Sequence, residues 1–216
     1  MIKMVKSAPP HRAHLIPQQV RDAHGLLRQA RRNNDFIVYA DELVFSKHTN
    51  FQRDWASKFN NTIVPQTSYY TDYRAVIGAI STLRGVEVVF QRGHAITGDE
   101  FIIFLRLIKR KAGLRQVKLY VDNLGVHKRL DVRAEMARLN ITPIWNAIYS
   151  PQFNPIEMAF AKVKRLYKQE KLRRLVSDIP LDMHEMILHS FRGLTVDNCR
   201  NYIRHCWDEM EKKVLE

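Results

Sequence analysis

Three carboxylates stand where the surrounding sequence argues against them. Asp41 interrupts the apolar run "FIVYADELVF", Asp122 closes "KLYV", and Glu157 follows two prolines in "YSPQFNPIEMAF". A carboxylate set into an apolar strand is costly unless it is paired, hydrogen-bonded or bound to a cation. Oxygen donors of this kind suit a hard divalent ion such as Mg²⁺. Two strand aspartates and a later glutamate would form a site over which a phosphodiester is hydrolysed or transferred. Each acid also has a plainer reading: Asp41 as a loop cap, Asp122 as the start of a turn through Asn123 and Gly125, and Glu157 as a partner for a helix dipole.

The chemistry depends on the elements that carry these acids. "NNDFIVYADELVF" reads as a first strand, and residues 46 to 70, polar with scattered aromatics and Pro65, as an irregular excursion. "YRAVIGAIST" and "GVEVVFQRG" form a hairpin about Gly85. "TGDEFIIFLRLIKRKAG" opens with the capping box of Thr97 and Glu100 and closes at Gly113, which makes it a helix. A strand "QVKLYVDN", a helix "KRLDVRAEMARLN", a strand "ITPIWNA" and a long helix from Pro155 follow; the tail from Ile179 to Leu215 reads as two helices broken around Gly193.

This order predicts an α/β fold, a mixed sheet in which a three-strand meander precedes alternating helices and strands, flanked by helices and ending in a helical C-terminal tail. Right-handed crossovers lay the "LYVDN" strand parallel to the first. If the two are neighbours, about 4.8 Å apart, Asp41 and Asp122 reach one site. Asp41 and Glu42 point to opposite faces, and alternation does not choose between them, because the strand is apolar on both.

On the long helix, Ile156, Phe160, Val163 and Tyr167 form one apolar stripe, and Glu157 lies about 100° off it, in the first turn. Lys162, Lys164, Arg165, Lys168 and Lys171 follow. A phosphate backbone could lie along them with the glutamate at its head. The whole chain of 216 residues carries 35 Lys and Arg against 22 Asp and Glu, for a net charge of +13. Nucleic acid is the expected polyanion, ahead of a membrane, though any single basic cluster could be solvated surface.

Cys199 and Cys206 share a helix face and read as small buried hydrophobes rather than a disulfide or zinc site. No apolar run approaches the roughly 18 residues that span a bilayer, and there is no signal-peptide core. A soluble intracellular protein is expected. The boundaries expected are a basic, partly extended N-terminal arm over 1–34, with prolines at 9, 10 and 17, a main domain over 35–175 and a helical extension over 176–216.

From about Phe36 to Arg174 the sequence resembles the mariner-like transposases and their bacterial insertion-sequence relatives, within the DDE superfamily of transposases and integrases. "YADE" is similar to the family's first block, "VDNLGVH" to its second and "YSPQFNPIE" to its third, with 34 residues between Asp122 and Glu157. Trp55, "AVIGAIS" and "FIIFL" are weaker matches.

The resemblance implies an RNase H-like fold for the domain over 35–175, with Asp41, Asp122 and Glu157 as catalytic residues holding two Mg²⁺ or Mn²⁺ ions, and Asn123, His127 and Asn154 in support. A loop hydrogen bond is the plainer role for His127. The implied activity is cleavage of phosphodiester bonds at transposon ends and their joining to target DNA, with DNA as partner, a homodimer as a possible assembly, and a location in a nucleus or with a bacterial nucleoid. Family members usually carry a helix-turn-helix region ahead of the first catalytic strand, and some 35 residues precede it here. A domesticated or truncated transposase acting as a non-catalytic DNA-binding module is the main alternative, and a nuclease acting on RNA–DNA hybrids or junctions is another.

Overall fold

The computed structural model describes residues 10–46 and 73–215. After a short turn of helix, α1 (Pro10–Ala13), come α2 (Ile16–Arg32), β1 (Phe36–Ser46), β2 (Tyr73–Ser81), β3 (Gly85–Arg92), α3 (Gly98–Ala112), β4 (Val117–Val121), α4 (Leu130–Arg138), β5 (Ile141–Trp145), α5 (Pro155–Val176), α6 (Met183–Arg192) and α7 (Val196–Leu215). Short 3-10 turns at Gly125–Lys128 and Pro151–Phe153 lead into α4 and α5. The five strands form one sheet in the order β3-β2-β1-β4-β5. β1, β2 and β3 are antiparallel neighbours, whereas β4 and β5 run parallel to β1. This is the expected mixed sheet, with β4 directly beside β1. The excursion after β1, including Trp55, lies outside the described residues.

The sheet buries both faces, and two apolar clusters record it. On one side Tyr39, Leu43, Phe45, Tyr120 and Ile144 pack under α2, α5, α6 and α7; on the other Val38, Ala40, Ile77, Leu119 and Val121 pack under α3 and α4. The α5 stripe of Ile156, Phe160, Val163 and Tyr167 is at most 3% exposed. At about 25 cal/mol per Å² of apolar surface removed from water, such a stripe is what fixes a helix to a sheet.

The N-terminal region departs from the expected arm. Residues 16–32 form helix α2, with Val20, Ala23, Leu27 and Ala30 buried against the sheet. Pro17 does not oppose this, since it falls in the first turn, where a missing N–H costs nothing. The tail forms two helices, as expected, and Cys199 and Cys206 are buried on one face of α7, with no disulfide between them. Among the described residues no helix is long and apolar enough to cross a membrane.

Candidate active site

Alternation leaves Asp41 and Glu42 equivalent; their partners across the β1–β2 ladder do not. Asp41 lies opposite Gly78, and a Cβ placed on Gly78 would come within 2.7 Å of the Phe160 ring of α5. Directly opposed residues share a face, so Asp41 points to the α5 side. Glu42 lies opposite Ile77, which belongs to the cluster under α3. The missing side chain at Gly78 is what lets the head of α5 approach the strand beside Asp41.

β4 brings the second acid. β1 pairs with β4 as far as Tyr39↔Tyr120, and two further residues along each strand reach Asp41 and Asp122. Asp122 sits just beyond the end of β4, where its Oδ1 accepts from the Leu124 N–H at 3.2 Å. Asn154 positions the third. It caps α5, and its buried side chain accepts from the Ile156 N–H at 3.4 Å while donating, also at 3.4 Å, to Ala40 O and Asp41 Oδ2. The asparagine of "NPIE" thus ties the first turn of α5, and with it Glu157, to Asp41.

The charges of the other two acids act on Asp41. Burial, with the Asp122 and Glu157 carboxylates adding to it, pushes the Asp41 carboxyl up to about 7, against the hydrogen bond from the Glu42 N–H at 2.8 Å. His127 shows the opposite balance. Burial pulls its imidazole down, but contacts with Asp122 and Glu42 win, raising it to about 9. Its Nδ1 stands 3.0 Å from Asp122 Oδ1, its Nε2 3.4 Å from Glu42 Oε1, and its ring stacks on Phe101 at 4.3 Å. Glu42 is therefore a structural partner of His127 from the other face of β1. Its signal in the sequence was only its place beside Asp41.

Asn123 donates from its amide to Asn146 O and accepts from Lys128 Nζ at 2.7 Å. Lys128 and Asn146 were not singled out in the sequence, since their roles depend on β4 and β5 ending side by side. Of the five basic residues read on α5, Lys164 and Arg165 are exposed and Lys168 half-buried. Lys162 turns its ammonium to Asn198 of α7, and Lys171 is buried. A cavity of about 500 Å³ opens beside Glu157, lined by Glu42, Val44, Tyr73, Phe160 and Lys164 among others.

Among the described residues no three His, Cys, Asp or Glu side chains are drawn together tightly enough to hold a metal ion. In kind, the donors fit one: three carboxylates supply the oxygen ligands that Mg²⁺ and Mn²⁺ take, and the elevated Asp41 carboxyl is a group that a nearby cation would ionise.

A family model described as DDE superfamily endonuclease matches residues 36–177. No curated protein sequence matches the chain. Among solved structures, the Mos1 transposase paired-end complex with left transposon end is similar at TM-score 0.68 and 17% identity, over 100% of this chain and 66% of that one. The catalytic domain of Mos1 mariner transposase is similar at TM-score 0.63 and 15% identity, over 99% of this chain and 97% of that one. The catalytic domain of Mos1 with Raltegravir and Mg is similar at TM-score 0.60 and 15% identity, over 97% and 96%. These likenesses show an RNase H-like fold. The chain spans about two thirds of the length of the Mos1 chain in the paired-end complex.

Proposed function

The chain belongs to the DDE superfamily endonuclease family, and on that premise we propose that it is the catalytic domain of a DNA transposase, a metal-dependent endonuclease and strand transferase. The single observation that carries the reading is Asn154, which caps α5 ahead of Glu157 and donates to the Asp41 carboxylate, a group that burial and the Asp122 and Glu157 charges raise to about 7. A fold tolerates such a conflict where a site uses it. The similar Mos1 structures were solved with transposon ends, with Mg and with Mn, which supports DNA and a divalent cation here.

In this reading Asp41, Asp122 and Glu157 hold one or two divalent ions. Such ions supply activation of a water or 3′-hydroxyl and neutralisation of charge on the leaving oxygen. Asn154 holds the Asp41 carboxylate in place through a hydrogen bond from its amide. His127, braced by Glu42, orients Asp122 from the side. Lys164 and Arg165 lie further along α5 from Glu157 and contact the phosphates of the bound strand, setting its path without reading its sequence. The overall exchange forms a bond from the attacking oxygen to phosphorus and breaks the bond from phosphorus to the 3′-oxygen, whose electron pair leaves with the released end.

The test is incubation of the protein with end-labelled duplex DNA in Mn²⁺ or Mg²⁺, beside Asp122→Asn. Nicking by the wild type and none by the variant, at equal DNA binding in a gel shift, is the expected result. A variant that cuts like wild type would remove Asp122 from the site. A wild type that binds every DNA offered and cuts none would favour the binding-module reading.

A further inference from the structure

Residues 146–154 connect β5 to α5, and the last of them, Asn154, bonds the Asp41 carboxylate while capping the helix that carries Glu157. The shape of this loop therefore sets where Asp41 stands relative to Glu157. The sheet fixes its first residue: Asn146 N–H donates to Val121 O at 2.9 Å, Asn146 O accepts from Asn123, and the Tyr120 hydroxyl donates to Asn146 Oδ1 at 2.6 Å. Internal bonds follow. Asn146 Nδ2 donates to Ser150 O at 2.8 Å, and Ser150 Oγ donates to Ile148 O at 3.0 Å.

The middle of the loop carries a conflict, because Tyr149 adopts φ 52°, a left-handed backbone that bulky side chains rarely take. Such a residue stays there while its surroundings over-determine it. One of those restraints comes from 129 positions away in the chain: Ile148 N–H donates to Oε1 of Gln19, a half-buried residue in the first turn of α2, at 2.9 Å.

α2 is a firm anchor for that bond. Besides its buried stripe, Arg31 lays its guanidinium 3.5 Å over the Trp207 ring of α7, the His24 ring lies 4.6 Å from the same indole, and Arg31 bonds the Tyr39 hydroxyl of β1. β1 is also the strand of Asp41. Beside Trp207, Cys206 Sγ donates to Gln152 O at 3.3 Å, so the packed pair α2 and α7 holds the loop at Ile148 and again at Gln152. A thiol is a weak donor, which leaves Gln19 as the stronger of the two holds.

We propose that Gln19 is a positioning residue for the reaction, acting on Asp41 and Glu157 through the loop. This rests on the transposase reading above. Without an acceptor for Ile148 N–H, Tyr149 relaxes toward an ordinary backbone, and the displacement passes through the 3-10 turn at Pro151–Phe153 to Asn154. Carboxylates that must share a metal-bound phosphate tolerate little of this, since a misplacement of about 1 Å far from the chemistry can cost about 100-fold in rate.

The experiment compares the full chain with Gln19→Met, which keeps the length of the side chain but has no acceptor, and Gln19→Glu, which keeps an acceptor oxygen. Amide hydrogen exchange by NMR, without divalent ion, is followed at Ile148, Ile156 and Glu157. The last two report on Asn154, because Ile156 N–H donates to its Oδ1 at 3.4 Å and Glu157 N–H to its carbonyl at 3.1 Å. In Gln19→Met all three should exchange about tenfold faster, with the β4 amides unchanged, whereas Gln19→Glu should match wild type. In Mn²⁺ and saturating duplex, Gln19→Met should cleave about tenfold more slowly than the other two, at equal DNA affinity in a gel shift.

Faster exchange confined to Ile148 overturns the proposal, as does cleavage by Gln19→Met at the wild-type rate. Equal losses in Gln19→Met and Gln19→Glu would also sink it, since the acceptor would then not be what matters. Faster exchange spread across β4 would assign Gln19 to overall stability instead. A wild type that cuts no DNA refutes the transposase reading alone, and the three amides still decide whether Gln19 sets the loop that joins Asp41 to α5.

Discussion

Asp41 puts a cost on the fold that its neighbours increase. An acid whose carboxyl is raised from 3.8 to about 7 in the folded state binds more protons folded than unfolded between those values. Stability therefore falls as pH rises through that window, and the penalty is complete above about 7. At about 1.4 kcal/mol per unit, the shift corresponds to roughly 4 kcal/mol. Asp41→Asn should accordingly raise the melting temperature by several degrees at pH 8, by little at pH 4, and abolish cleavage; scanning calorimetry at both pH values checks the first part. Glu42 is the opposite case. As the brace of His127 it should matter to activity more than to binding, and Glu42→Gln should lower the cleavage rate about 10- to 100-fold with DNA affinity unchanged in a gel shift. The three acids stood out in the sequence because each breaks a local pattern. Which of Asp41 and Glu42 faces α5 was not, because that choice is made by a glycine 37 positions away on β2.

α5 is the element on which the site depends most. It carries Glu157 and is docked by a stripe that the sequence displays at helical spacing, so both its face and its start at Pro155 could be read in advance. Its tight seat could not, since that depends on Gly78. Gly78→Ala should force the buried Phe160 ring to move, costing about 1–3 kcal/mol of stability, and should reduce cleavage by more than the unfolded fraction explains. The far end of α5 is secured differently. The Glu170 carboxyl is held at about 2 by hydrogen bonds from Arg173 and Arg174, and Arg174 also bridges to Glu185 of α6 at 2.7 Å. This contribution is present above the ordinary carboxylate value of 4.5 and is lost as pH falls from there to about 2. Glu170→Gln should therefore narrow the stability gap to wild type progressively across that window, as read by acid titration of circular dichroism. α2 was not read as a helix because its prolines suggested an extended arm, although Val20, Ala23, Leu27 and Ala30 recur at helical spacing and form its buried stripe.

For the whole molecule the governing quantity is a net charge of +13, distributed without regard to the two cores. Much of it is already committed. Arg106 and Arg138 close on Glu135, Arg173 and Arg174 on Glu170, and Lys118 on Asp35, so these cations have less to offer a polyanion. Lys164, Arg165 and Lys168 have no such partner among the ion pairs of the described residues and follow Glu157 along α5, where a strand leaving the acids would run. If each neutralises one phosphate, binding releases about three counterions through this row, and the logarithm of affinity should fall with the logarithm of salt about 2.7 units more steeply in wild type than in a Lys164→Ala, Arg165→Ala, Lys168→Ala triple variant. The loss should be uniform across DNA sequences, since phosphate contacts position a duplex without reading it. Fluorescence anisotropy from 50 to 200 mM salt, on two unrelated duplexes, measures both properties. An unchanged slope would place the DNA on another face of the molecule, and a loss confined to one duplex would mean that these side chains reach the bases.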